Sequence, residues 1–180
     1  YIIKKVASNQ DLTFKMLKAL YISNDIKINN NKFEENLGLK TDDGKYNLMA
    51  ELLADSNDLS IKVVTFAGCD KSVMLKRTDY GGKCLLLSVN NVLEYMESIN
   101  ETKVKLGGIQ RIEEKYFDFS SFREAWLNAC VHTKWSEEIP PAVYIYDDRI
   151  EIVSNGGLPS SLTKEDFFAG VSKPINKKLL

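Results

Sequence analysis

The stretch Ser120-Ser-Phe-Arg-Glu-Ala-Trp-Leu-Asn-Ala-Cys-Val-His132, then Ala142-Val-Tyr-Ile-Tyr146 and Arg149-Ile-Glu-Ile-Val153, then Ser154-Asn-Gly-Gly-Leu-Pro159, decides how this chain is read. In the first segment Glu124, Asn128 and His132 fall four residues apart, so on a helix they share one face. Two β-prone runs follow, separated only by Asp147-Asp148, which predicts a tight hairpin. Gly156-Gly157 comes directly after the second run. Adjacent glycines let main-chain amides approach a ligand closely, because no Cβ stands in the way. A carboxylate such as Glu124 can orient an attacking water, and a carboxamide one turn later, Asn128, can ligate Mg²⁺ through its oxygen. Plainer alternatives stand beside these readings. Ser121-x-x-Glu124 is also a capping box, a Gly-Gly pair is also a simple turn, and a lone His132 is also a hydrogen-bonded structural group.

Upstream, helical and strand-like patterns alternate. Leu12, Met16, Leu17, Leu20 and Tyr21 recur at helical spacing behind Asp11, a cap residue, and predict a helix over residues 12–21. Asn29-Asn30-Asn31 marks a loop before a short helical stretch that Gly38 closes, and Asp42-Asp43-Gly44 marks a turn. Residues 48–54 are rich in Leu and Ala and predict a helix. Residues 60–66, Ser-Ile-Lys-Val-Val-Thr-Phe, carry the β-branched content of a strand, and Val73-Met74-Leu75 predicts a second one. Gly81-Gly82 breaks the chain. Val92, Leu93, Tyr95, Met96 and Ile99 mark an amphipathic helix entered from a cap region at residues 88–91. Residues 100–105 are polar enough to join two parts, and Gly107-Gly108 is a further loop signal. The expected division is a mixed region over 1–105 and a second unit over 106–180.

With 180 residues, 44% of them hydrophobic, the chain can build one large or two small cored domains. Its 24 Lys and Arg against 25 Asp and Glu leave a net charge of -1, so it exerts no overall pull on DNA or on an anionic membrane. If the protein binds DNA, a domain outside this chain is expected to do so. Cys69, Cys84 and Cys130 lack CxxC spacing, and a single histidine cannot build a His/Cys metal cluster. Reduced thiols and a cytoplasmic location fit this usage. No apolar run reaches the roughly 18–20 residues of a membrane span, and Tyr1-Ile-Ile-Lys-Lys5 has no signal-peptide h-region, so no membrane is expected as a partner. Starting at Tyr, the chain is expected to be an interior piece of a longer protein. It contains no G-x-x-x-x-G-K-[ST] loop, which argues against a helicase motor.

Three segments, Phe122–His132, Asp147–Pro159 and Ser172-Lys-Pro-Ile-Asn-Lys177, resemble the C-terminal ATPase-like module of bacterial RecG-helicase-related transcriptional regulators. Leu37-Gly-Leu-Lys-Thr-Asp-Asp-Gly-Lys-Tyr46, Leu53-Ala-Asp55 and Ser60-Ile-Lys-Val63 are similar to the linker region of the same proteins. The resemblance implies a Schlafen AlbA-type DNA-binding domain upstream and an α/β (α+β) fold. In that fold a helical and mixed N-terminal part leads into an incomplete GHKL-like sandwich, the fold of histidine kinases, gyrase and Hsp90. It further implies ATP and Mg²⁺ as cofactors, with Glu124 as the water-orienting residue and Asn128 as the metal ligand. Asn128, His132, Asn155, Gly156 and Gly157 would form the nucleotide site. DNA would be bound through the absent domain, and a homo-oligomer is compatible.

The chain also departs from the family pattern. His132-Thr133-Lys134-Trp135 stands where His-Arg-Asp-Tyr is usual, Ser154-Asn155-Gly156-Gly157 replaces Asn-Pro-Gly-Gly, and Ile175-Asn176 replaces Arg-Asn. No Asp lies between Ser154 and Pro159 to read adenine, and an unsatisfied polar edge on a buried base costs roughly 1–3 kcal/mol. The expectation is therefore nucleotide binding with slow or absent hydrolysis, at most a weak GHKL-type ATPase. The competing expectation is a non-enzymatic scaffold or dimerisation module.

Overall fold

Asp55, forty residues downstream, caps the first helix, α1 (Lys15–Ser23). Its carboxylate accepts the Lys15 and Met16 amides at 2.9 and 2.7 Å and the Thr13 hydroxyl at 2.6 Å. Burial alone would raise this carboxyl's pKa; these three hydrogen bonds and nearby Lys15 bring it below its ordinary value. Asp11, the local cap candidate, lies well before the helix, and the chain from Leu12 to Phe14 turns inward to bury both apolar residues. The computed structural model describes residues 2–100, 102–107 and 110–156, with side chains for all of these except 102–114.

The next elements follow the local signals. The short helix α2 (Phe33–Asn36) ends in a Gly38 turn at φ +64°, where the Gly38 and Leu39 amides return to the Glu35 and Glu34 carbonyls. That is the left-handed closure glycine favours. Asn47 caps α3 (Leu48–Leu53) by accepting the Ala50 amide at 3.0 Å. It is fully buried, and its Nδ2 donates to the Ile3 and Gly38 carbonyls, so one carboxamide joins three segments.

The sheet begins with β1 (Ser60–Ala67) and β2 (Val73–Gly81), paired antiparallel from Ser60↔Gly81 to Ala67↔Val73, with a register shift between Thr65 and Phe66. The second helix-length pattern starts earlier than its apparent cap. α4 (Leu85–Ile99) opens at Leu85, and Ser88 lies buried inside it. The apolar run Leu85-Leu86-Leu87 is its first turn rather than its approach. The polar stretch expected as a linker is instead a strand: β3 (Thr102–Gly107) pairs antiparallel with β4 (Gln110–Lys115). Asn100 fastens the base of this ribbon, donating to the Phe117 carbonyl at 2.9 Å and accepting the Phe117 amide at 3.2 Å.

α5 (Phe119–His132), a 3-10 turn (Trp135–Glu137), β5 (Ala142–Ile145) and β6 (Ile150–Val153) complete the described chain. β5 runs parallel to β1 and antiparallel to β6, giving a mixed sheet in the order β2-β1-β5-β6. Leu17, Leu39, Met49, Ile61, Val92, Trp126 and Val143 belong to one core, so residues from both sides of position 105 share sheet and interior. The expected α+β class holds. Strand alternation sends Val64 and Phe66 to the other face of the sheet, where they join Tyr144 and Tyr146 in a small separate cluster. Lys71 Nζ and Arg149 Cζ lie 4.1 Å above the Tyr144 and Tyr146 rings.

Candidate functional site

The site is built on α5, whose start is set by Asp118. That carboxylate accepts the Ser120 and Ser121 amides at 3.2 and 3.3 Å and the Ser121 hydroxyl at 2.5 Å. The hydroxyl bond leads in holding Asp118 below the usual carboxylate range. Ser121 is thus a donor inside the first turn, not the cap, and the capping-box alternative for Glu124 falls away. The apolar face of the helix is firmly seated. Phe122, Trp126, Ala129 and Cys130 are buried, and Trp126, with no exposed surface, donates Nε1–H to the Val89 carbonyl at 3.2 Å. Burial drives the Cys130 thiol far above its ordinary pKa. All three cysteines are free thiols, Cys84 and Cys130 buried and Cys69 exposed.

The opposite face carries Glu124 and Asn128, both exposed, and His132, which is half-buried. The three candidate residues therefore sit on one helix at successive turns. Downstream of His132 the chain makes its 3-10 turn around Trp135, which is buried and donates Nε1–H to the Cys130 carbonyl at 3.0 Å. Glu138 closes the turn in the left-handed region at φ +59°. The chain then passes Pro140 and Pro141 into β5 and returns along β6 through the Tyr146–Arg149 turn. Asp147, in that turn, exchanges hydrogen bonds with Gly68 of the β1–β2 loop at 2.9 and 3.0 Å.

β6 delivers Ser154-Asn155-Gly156 to the C-terminal end of α5. A Cβ on Gly156 would stand 2.7 Å from the His132 carbonyl oxygen, a backbone atom that cannot easily yield. The Lys134 amide donates to the Asn155 carbonyl at 2.7 Å, and the Asn155 Nδ2 donates to Glu137 Oε2 at 2.5 Å. Lys134 Nζ lies 3.3 Å from the other Glu137 oxygen. The structure thus brings the His132 carbonyl, Asn155 and Gly156 together and sets Asn128 about 6 Å along the helix axis from His132. Gly157 lies outside the described residues, as does the expected 172–177 segment. Glu137, and the contact that joins it to Lys134 and Asn155, were not foreseen from the sequence. The i,i+3 spacing of Lys134 and Glu137 was visible, but their partner Asn155 is eighteen residues on.

Two crevices border this region. One, of about 340 Å³, has Lys62, Tyr144, Val153, Ser154 and Asn155 in its wall. The other, of about 500 Å³, lies between Lys5, Glu51, Asp58, Trp135 and Glu138. Neither is lined by Glu124, Asn128 or His132. Among the described residues no group of three or more His, Cys, Asp or Glu is placed to hold a metal ion, and no helix is long and apolar enough to cross a membrane.

Residues 139–180 match the family described as "Putative ATP-dependent DNA helicase recG C-terminal". The match takes in β5, β6 and the glycine segment. It supports an ATPase-like module, related to that RecG C-terminal family, in the last part of the chain. Among solved structures, the DIP2311 protein from Corynebacterium diphtheriae aligns with a TM-score of 0.73 over 99% of this chain at 19% identity. That likeness is one of fold, and the chain spans 37% of the length of that protein. No curated protein matches.

Proposed function

We propose that this chain carries the front part of a degenerate, GHKL-like nucleotide-binding module within a cytoplasmic, DNA-associated, RecG-helicase-related transcriptional regulator. The observation that carries the reading is the meeting of the α5 terminus with the Ser154–Gly156 segment, where the Gly156 Cα packs against the His132 carbonyl. A polar-faced helix, a hairpin and a glycine segment follow each other in sequence and close on one another in space. The similarity over 139–180 to an ATPase-like family supports the same reading. Residues 1–105 would serve as the mixed region leading into a module over 106–180. DNA would be bound by a domain outside this chain, since the chain itself is nearly neutral.

The residues present fit Mg-ATP in part. Asn128 is exposed beside the helix end, and its carboxamide oxygen suits a hard cation that keeps most of its remaining ligands as water and phosphate oxygens. Bound Mg²⁺ would neutralise phosphate charge. Glu124, released from any capping duty, would orient a water one turn from Asn128. The half-buried His132 and the main chain of Asn155 and Gly156, together with Gly157, would border the nucleotide. Three features favour slow or absent hydrolysis. Lys134 occupies the place of an acidic residue, Ile175 the place of an arginine, and no Asp accompanies the glycines to read adenine. Phosphoryl transfer needs positioned water, metal and charge stabilisation together.

A scaffold or dimerisation module is the second reading, favoured by the use of Gly156 and Asn155 in contacts within the protein itself. Calorimetry of Mg-ATP with the full-length protein and its Asn128→Ala variant separates the two. Saturable binding that the substitution abolishes is expected. No heat with either protein would leave the scaffold.

A further inference from the structure

We infer that Glu137 and Lys134 are positioning residues that latch the Asn155–Gly156 segment onto the end of α5, with the carbonyl and side chain of Asn155 as the latch's tongue. The inference rests on the nucleotide-binding reading for its functional half and on geometry for the rest. The 3-10 turn that presents both residues is itself fixed. Trp135, its first residue, is buried and tied by Nε1 to the Cys130 carbonyl on α5, so Lys134 and Glu137 ride on the core. Three interactions then reach Asn155 or brace its partner: the Lys134 amide to its carbonyl at 2.7 Å, its Nδ2 to Glu137 at 2.5 Å, and Lys134 Nζ to Glu137 at 3.3 Å.

These contacts are unequal. The Lys134 and Glu137 side chains are 43% and 46% exposed, so their ion pair contributes little by itself and serves to orient the carboxylate. The Asn155–Glu137 bond is charge-assisted and short, and it joins residues eighteen apart in sequence. With its carbonyl and its Nδ2 both committed to the turn, Asn155 is held at main chain and side chain at once. Gly156 follows it directly and fits against the His132 carbonyl only because it has no side chain. The latch therefore decides how often the segment occupies the place bordering the polar face of α5. A ligand that binds only the latched form has an apparent Kd equal to its intrinsic Kd divided by the latched fraction. Kd therefore scales with one plus the opening constant, so weakening the latch raises Kd appreciably only once the open form is well populated, whereas exchange tracks opening from the start.

The test compares Glu137→Ala, which removes the acceptor, with Glu137→Gln, which keeps a carbonyl acceptor for Asn155. Two quantities are read in the full-length protein: hydrogen exchange at the Lys134 amide, which donates to the Asn155 carbonyl, and the Kd for Mg-ATP. Glu137→Ala should accelerate exchange until the segment is open about four-fifths of the time and so weaken Mg-ATP about fivefold, with Glu137→Gln near the unsubstituted protein. Unchanged exchange in Glu137→Ala overturns the latch whatever nucleotide does. Exchange that shows the segment mostly open in Glu137→Ala, with an unchanged Kd, overturns the positioning role and leaves a structural tie. If the unsubstituted protein binds no Mg-ATP, the nucleotide reading fails and takes the positioning role with it, while exchange still decides whether Glu137 holds the segment.

Discussion

The two faces of α5 have opposite characters. One holds Phe122, Trp126 and Cys130 in the core, with the indole of Trp126 bonded to the Val89 carbonyl of α4. The other holds Glu124 and Asn128 in solvent, on a helix whose start Asp118 already satisfies. A side chain on the first face is kept by packing, since removing it leaves a void that the surroundings fill only partly. A side chain on the second face has little packing to lose. Sequence on the two faces therefore answers to different demands: packing constrains the first and leaves the second free.

The largest break in this contrast should come from Trp126→Ala, which loses a fully buried indole and its hydrogen bond and should cost about 3–5 kcal/mol in urea unfolding. A loss well under that range would mean the α4–α5 contact is loose. Gly156→Ala should have an intermediate effect, about 1–3 kcal/mol, because the added methyl meets a backbone carbonyl rather than a flexible side chain. A neutral result would show that the segment can lift away from His132 without penalty. Glu124→Ala should be the mildest, within about 0.5 kcal/mol of the unsubstituted protein in stability. Phosphate release with Mg-ATP should stay near background before and after this last substitution. Robust turnover that vanishes with Glu124 would instead establish an active hydrolase.

Local chemistry made much of the fold legible. Strand β1, helices α3 and α5, the Gly38 and Gly44 turns and the β5–β6 hairpin all announce themselves through β-branched runs, caps or glycines. What stayed hidden depends on partners far along the chain. The charged second half of β2, Lys76 to Gly81, carries little apolar signal, because on this edge strand Tyr80 is the residue that packs against the main core while Lys76, Arg77 and Asp79 stay exposed. The polar residues of β3 pair with β4 through backbone, which composition does not encode. At the site, the shared face of Glu124, Asn128 and His132 was readable from spacing alone. The contact of Gly156 with His132 was not, because it needs the hairpin to fold back onto α5 before the two meet. The glycine pattern suggested an open cradle for a ligand, whereas the first of the two glycines is already filled by the protein's own carbonyl.

Asp55 gives α1 an unusual place in the order of folding. The helix has nine residues, with no side-chain cap from its own N-cap residue and no acidic residue in its first turn, so nothing local offsets the entropy of forming its first turn. Its amide donors at Lys15 and Met16 wait for a carboxylate some forty positions away, which arrives only when α3 has formed and the intervening loop has closed. A peptide covering residues 11–24 alone should thus be largely unstructured. In the intact chain α1 is tied on by a long-range bond, and its loss at high temperature should coincide with the release of α3 rather than precede it.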